Sequence, residues 1–173
     1  RYVEMIIEQL NARGMYADAI DSAFIYNLVK AAPMHDIGKI GVPDTIINKR
    51  DKLTDSEYEA IRQHPEIGSD ILKTIEQIPD IMAGARWHHE RYDGTGYPDG
   101  LKGDEISQLA RITAISDVYD ALTTDRCYRK KWTTAKALDF MLENAGKHFD
   151  ISMLHSFMQL VAVYPTGSTV RLS

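Results

Sequence analysis

Met34-His35-Asp36-Ile37-Gly38-Lys39-Ile40-Gly41-Val42-Pro43-Asp44 sets an imidazole beside a carboxylate, with a lysine three residues further on. Upstream, Phe24, Leu28 and Val29 form the inward stripe of a helix that should start at Asp21 or Ser22 and run into His35-Asp36. Pro33 predicts a kink in it, because proline removes a backbone donor. Gly38 suits the helix end, and Gly41 with Pro43 suits an irregular turn beyond it. A His-Asp pair at a helix end says little alone. Two other stretches must meet it: Trp87-His88-His89-Glu90-Arg91-Tyr92-Asp93-Gly94-Thr95-Gly96-Tyr97-Pro98 and Ser116-Asp117-Val118-Tyr119-Asp120-Ala121-Leu122-Thr123.

The rest of the chain reads as helices that carry these stretches. Val3, Ile6, Ile7 and Leu10 have helical spacing over Tyr2 to Arg13, ended by Gly14. Thr54 and Glu57 have capping-box spacing. The helix they open runs to His64-Pro65, where the proline should hold His64 extended or break the helix. Next comes a helix with Ile67, Ile71, Leu72 and Ile75 inward. Pro79 suits the first turn of another, with Ile81, Met82 and Ala85, ending at His88-His89. Asp93 to Gly100 must be a loop. Ser107 is an N-cap for a helix through Ile112, Ile115 and Val118 to about Thr123. Arg126 to Lys131 is a basic connector. Thr133 or Thr134 opens a helix stopped by Gly146. Asp150 opens the last, with Leu154, Phe157 and Val161 inward. Ser168 to Leu172 reads as a short terminal strand without a partner. With no strand-helix alternation, the fold is expected to be all-α.

Composition sets outer limits. At 173 residues, with 44% hydrophobic and 26% charged residues, one domain with one core is expected. No apolar run approaches the roughly 20 residues of a membrane span, and no signal-peptide pattern opens the chain. The net charge of -5 argues against a partner that is a nucleic acid polymer, so an anionic substrate would be held by local cations. A lone Cys127 excludes an internal disulfide and fits a reducing compartment such as the cytoplasm. The start at Arg1 suggests a piece of a longer protein.

Of the six histidines, His35, His64, His88 and His89 sit at helix ends or in helix-breaking sequence. Imidazole and carboxylate ligands together suit zinc, iron, manganese or nickel. Successive helical residues point about 100° apart, so His88 and His89 are expected to serve neighbouring ions rather than one. A carboxylate such as Asp36 or Asp117 can bridge a pair, and paired metals roughly 3.5–4 Å apart recur in phosphoester hydrolysis. Each feature also has a structural reading: a surface histidine pair, a cap, a salt-bridge partner.

The motifs together resemble the HD-GYP family. His35-Asp36-Ile37-Gly38-Lys39-Ile40 with Val42-Pro43-Asp44 is similar to its HD motif, and His88-His89-Glu90 with Asp93-Gly94-Thr95-Gly96-Tyr97-Pro98 to its HHE…DGxGYP pattern. His64-Pro65 with Gly68, Asp117 with Tyr119 to Thr123, and Arg126 with Tyr128 complete the likeness, which runs from about residue 28 to 163. The resemblance implies an HD-superfamily helical bundle with further C-terminal helices. It implies two or three divalent ions, iron or manganese foremost, and hydrolysis of cyclic di-GMP to pGpG and on to GMP. Metal ligands would be His35, Asp36, His64, His88, His89 and Asp117, with Asp36 bridging. Asp36 and Lys39 would be catalytic. Lys39, Arg126 and Arg129 would contact the substrate phosphate, and Asp93, Gly94, Gly96, Tyr97 and Pro98 would form a substrate-facing loop or a purely structural turn. Glu90 would orient a histidine, Trp87 would be core with its N–H satisfied locally, and His148 and His155 would be surface or packing residues.

The family has a further ligand histidine on its first helix, which would lie upstream of Arg1. The chain is therefore expected to be a single domain truncated at its N-terminal helix, with a partly filled site and little turnover. An upstream sensor or receiver domain and diguanylate cyclase domains are the expected partners. The rival readings are a phosphohydrolase of another nucleotide and a non-catalytic signalling module binding through Tyr97.

Overall fold

The computed structural model describes residues 21–75, 79–125 and 129–163. The expected helix at Tyr2 to Arg13, the strand at Ser168 to Leu172 and Arg126 lie outside them. The described residues form helices and loops with no strand; a β-bridge joins Ala145 and Phe149.

The helices begin where side chains can satisfy their free N–H groups. Asp21 accepts from Phe24 N at 2.7 Å and opens α1 (Ser22–Met34). Pro33 lies one residue from its end. The turn α2 (Asp44–Ile47) follows. Thr54 opens α3 (Asp55–Arg62) with both bonds of the capping box. α4 (His64–Ile75) begins one residue after Gln63, so the break falls before His64 rather than at it, and Pro65 occupies the first turn where its missing N–H costs nothing. α5 (Pro79–Trp87) stops short of His88. Ser107, accepting from Ala110 N, opens α6 (Gln108–Thr123); Thr133 opens α7 (Thr134–Glu143) and Asp150 opens α8 (Ile151–Val163).

α6 is the axis of the core. Leu109, Ala110, Ile112, Ile115, Tyr119 and Leu122 are all buried along it, so it is apolar around most of its circumference. Leu28 and Ala31 of α1, Leu72 of α4, Ile81 and Ala85 of α5, Ala137 and Met141 of α7, and Phe157 of α8 close round it. Each fully buried Leu, Ile or Phe contributes about 1.5–3 kcal/mol of apolar burial. Two expected inward residues are outside: Val29 is 40% and Ile75 64% exposed, because their helices have only one partner face at those positions. Arg111, buried on α6, donates to Asp104 (2.7 Å) and Asp150 (2.8 Å), pinning the loop before α6 to the cap of α8.

Gly38 is not a helix terminator. It lies in the 3-10 turn Ile37–Gly41, pressed onto the start of α4. A Cβ there would stand 1.9 Å from the His64 carbonyl oxygen and 2.4 Å from Gly68 N. Only a glycine lets these two backbones meet, and their meeting brings Asp36 beside His64.

Candidate metal centre

The clustered side chains come from helix ends, except Asp117, which lies within α6. His35 is the C-cap of α1, Asp36 leads the 3-10 turn, His64 opens α4, His88 and His89 follow α5, and Asp117 projects from α6. One ligand atom each from Asp36, His64, His88 and His89 lies within 4.8 Å of the others. His88 and His89 therefore share one cluster. They leave the helix after Trp87, so the 100° separation expected of helical neighbours does not apply; their rings are 4.1 Å apart.

The imidazoles are aimed by the backbone. His35 Nδ1 contacts the Ala32 carbonyl (2.5 Å), His64 Nδ1 that of Ile61 (2.7 Å), and His88 Nδ1 that of Ala85 (2.8 Å), each three residues back. A carbonyl only accepts, so each Nδ1 carries the proton and each Nε2 faces the centre. His64 Nε2 and His88 Nε2 are 3.3 Å apart. Imidazole nitrogens converging beside a carboxylate are a donor set that fits a divalent metal ion.

Asp36 faces both halves of the cluster. Its Oδ1 lies 3.3 Å from His64 Nε2 and 3.8 Å from His88 Nε2; its Oδ2 lies 3.5 Å from His35 Nε2 and 2.5 Å from Lys39 Nζ. Asp117 Oδ1 approaches His35 Nε2 at 3.7 Å.

Electrostatics divides the ligands. Burial alone would raise the Asp36 pKa, but contacts with His64, Lys39 and His35 hold it well below the usual carboxylate range. Asp117 is likewise held low against its burial, by His35. Burial pushes His35 down, but Asp117 and Asp36 outweigh it and raise its pKa. Burial, together with the other histidines, lowers His88, and burial with the charge of His64 lowers His89 to about 3. Two imidazoles are thus neutral near pH 7, while the carboxylates gather positive charge around His35.

The Gly-rich loop folds over this cluster. Gly94 has φ +85°, and a Cβ on Gly96 would stand 2.3 Å from Arg91 N. Asp93 accepts from Thr95 N and Oγ1 at 2.9 and 2.6 Å. The Tyr97-Pro98 bond is cis. Tyr97 stacks on His89, centroids 4.9 Å apart and planes at 22°, with the Arg62 guanidinium 4.6 Å from its ring. Burial raises the Tyr97 hydroxyl pKa. Trp87 Nε1 donates to Asp99 at 2.7 Å, so its N–H is satisfied locally.

Two residues stand elsewhere than expected. Glu90 touches no histidine: its buried carboxylate accepts from the N–H groups of Asp99, Gly100 and Leu101 at 2.7–3.1 Å and holds the end of the loop. Arg129 donates to the Ala121 carbonyl in the last turn of α6 and lies 5.5 Å from the Trp132 ring centroid. The sequence also gave no weight to a cavity of about 470 Å³ beside the cluster, lined by Tyr58, Arg62, His89, Arg91, Tyr97 and His148 among others. His148 stacks on Phe149 (centroids 4.3 Å apart), and burial lowers it to about 4. Arg62 and Arg91 flank the histidine motifs directly, which was the signal available.

A helical bundle that converges four histidines and two aspartates beside a Gly-rich loop defines a candidate metal-binding domain. The family model described as HD domain matches residues 7–153, and the chain belongs to that family. A cyclic di-GMP phosphodiesterase of Pseudomonas aeruginosa is 48% identical over 143 residues, 82% of this chain and 34% of that protein. A 3'3'-cGAMP-specific phosphodiesterase of Vibrio cholerae is 37% identical over 133 residues, 75% of this chain and 25% of that protein. The solved structure of an HDG"Y"P protein from Bdellovibrio bacteriovorus shares the fold, with TM-score 0.67 over 93% of this chain and 51% of that one, at 19% identity. The chain spans about a third of the Pseudomonas protein and a quarter of the Vibrio one. Among the described residues no helix is long and apolar enough to cross a membrane.

Proposed function

We propose that this chain is a metal-dependent phosphodiesterase domain hydrolysing cyclic di-GMP to pGpG and on to GMP. The observation that carries the reading is the His64-His88 pair, two inward Nε2 atoms at 3.3 Å beside the Asp36 carboxylate. The name of the Pseudomonas relative supports the substrate. His64, His88, His89 and Asp36 Oδ1 would hold one ion; His35, Asp117 and Asp36 Oδ2 would hold a second. Iron or manganese suits this imidazole and carboxylate set. Bound ions of this kind supply Lewis acidity and water acidified toward neutral pH.

The chain's own residues do the rest. Asp36 stays ionised and ties the two halves of the cluster together. Lys39 Nζ, already on Asp36, brings a point charge to the phosphoryl oxygens. Arg126, next along the chain after α6, adds a second cation. Tyr97, backed by His89 and Arg62, walls the substrate side. The cytoplasm is the setting that suits such an activity. An upstream sensor or receiver domain and diguanylate cyclase domains are the partners that the HD-GYP resemblance supplies.

The name of the Vibrio relative favours a second reading, in which 3'3'-cGAMP is the substrate. The test is elemental analysis of the purified chain, then turnover of cyclic di-GMP and 3'3'-cGAMP with added manganese(II) or iron(II). Formation of pGpG above background supports the first reading, and preference for cGAMP the second. A fully metallated chain that cleaves neither refutes both.

A further inference from the structure

The cavity beside His89 holds cations that the metal centre does not use. Arg62, Arg91 and His148 line it with Tyr58 and Tyr97, and among the described residues no carboxylate does. That is unexpected in a chain of net charge -5. Arg91 Nε is buried and has no hydrogen-bond partner. A buried guanidinium N–H without an acceptor is costly, so the protein's own groups leave this side chain incompletely satisfied. Arg62 gives one nitrogen to Glu59 at 2.9 Å and holds its plane against Tyr97. Its side chain is 34% exposed, so its other N–H groups are open to solvent or to a ligand. Asp93, the nearby acid, accepts from Thr95 and lies outside the cavity lining, though close enough for its charge to act on Arg91 and His148. His89 belongs to both the cavity and the metal cluster, so the two are contiguous.

We propose that Arg62 and Arg91 hold the phosphate of the dinucleotide that is not being cleaved. This deepens the reading above and rests on it. A cyclic dinucleotide carries two phosphodiesters in one ring, so when one lies at the cluster the other is fixed a short distance away. Planar guanidinium groups match phosphate oxygens with paired donors. After the first cleavage the same cations face the terminal phosphate of pGpG, which carries more charge. The pocket would therefore retain the linear product for a second cut.

The experiment compares two substrates and one binding equilibrium. Cyclic di-GMP carries two phosphates; bis(p-nitrophenyl) phosphate carries one and has nothing to place in the cavity. Arg91→Gln and Arg62→Gln should each raise the KM for cyclic di-GMP about ten-fold. Each should affect turnover of the single-phosphate diester far less. Arg91→Lys, which keeps the charge, should recover part of the loss, and circular dichroism reports folding. Titration of the chelator-treated chain with cyclic di-GMP should show the same weakening without metal or turnover. Equal losses on both substrates, or unchanged cyclic di-GMP binding in both variants, would overturn the proposal. A wild-type chain that binds cyclic di-GMP through these arginines but hydrolyses nothing would refute the phosphodiesterase reading and leave the phosphate site standing.

Discussion

His64 Nε2 and His88 Nε2 stand 3.3 Å apart while the Nδ1 of each is committed to the backbone carbonyl three residues back. Neither ring can turn away without losing that bond. The two nitrogens are therefore held facing one point, which a cation can occupy.

Metal removal should lower thermal stability. An ion present at 100 times its Kd contributes about 2.7 kcal/mol, which for a domain of this size is a melting shift of roughly 5–10 °C. Scanning fluorimetry with chelator, then with manganese restored, reads it. An identical melting temperature in both states would mean that the cluster takes no ion.

Asp36→Ala should strip metal and abolish turnover. Asp36 is the carboxylate that contacts His35, His64 and His88. Losing it should exceed the roughly 10–100-fold loss of affinity seen when an outer partner of a ligand is removed. Elemental analysis beside a hydrolysis assay checks this; a fully metallated, active variant would disprove the bridging role.

Gly38→Ala should destabilise the fold by about 1–3 kcal/mol or more, since its Cβ would meet the His64 carbonyl and Gly68 N. The cost falls on the backbone that aims His64, so metal affinity should drop with stability. Urea denaturation gives the first quantity and manganese titration the second. A variant as stable as wild type would remove the close-approach argument.

Metal binding should weaken as pH falls below neutral and release protons, because the ion competes with protons for its ligands. His35, with its raised pKa, holds a proton that the ion must displace, whereas His88 and His89 are already neutral. The sign reverses without metal. A raised folded pKa gives stability that is full below the unfolded value of 6.5 and is lost as pH rises through the folded value. Calorimetry in buffers of different ionisation enthalpy counts the protons. Binding that releases no proton and does not weaken at low pH would contradict the assignment of His35 as a protonated ligand.

Glu90→Gln should loosen the loop while sparing the metal. Its carboxylate binds three consecutive N–H groups, those of Asp99, Gly100 and Leu101, and touches no histidine. Hydrogen bonds to a charged group contribute about 1.5–3 kcal/mol each, so the loop bearing Tyr97 should open and KM should rise. Metal content reduced along with activity would return Glu90 to a role behind a histidine.

Local chemistry made the helix starts legible. Asp21, Thr54, Ser107, Thr133 and Asp150 cap where their side chains can reach a free N–H, and that depends on neighbours two or three residues away. The ligand types were legible for the same reason, as short motifs of imidazole and carboxylate. What one sequence determines by itself is therefore where helices begin and which residues can bind a cation. Tertiary structure alone decided that Gly38 meets Gly68, that His88 and His89 reach one cluster, that Glu90 serves the loop and that Arg62 and Arg91 share a cavity with His148. Gly38 and Gly68 are 30 positions apart and Arg62 and His148 86, while the reach of His88 and His89 depends on where a helix stops; their relation is set by how α1, α4, α5 and the loops close on α6. Packing of distant surfaces fixes such distances to a fraction of an ångström, which no spacing along the chain can express.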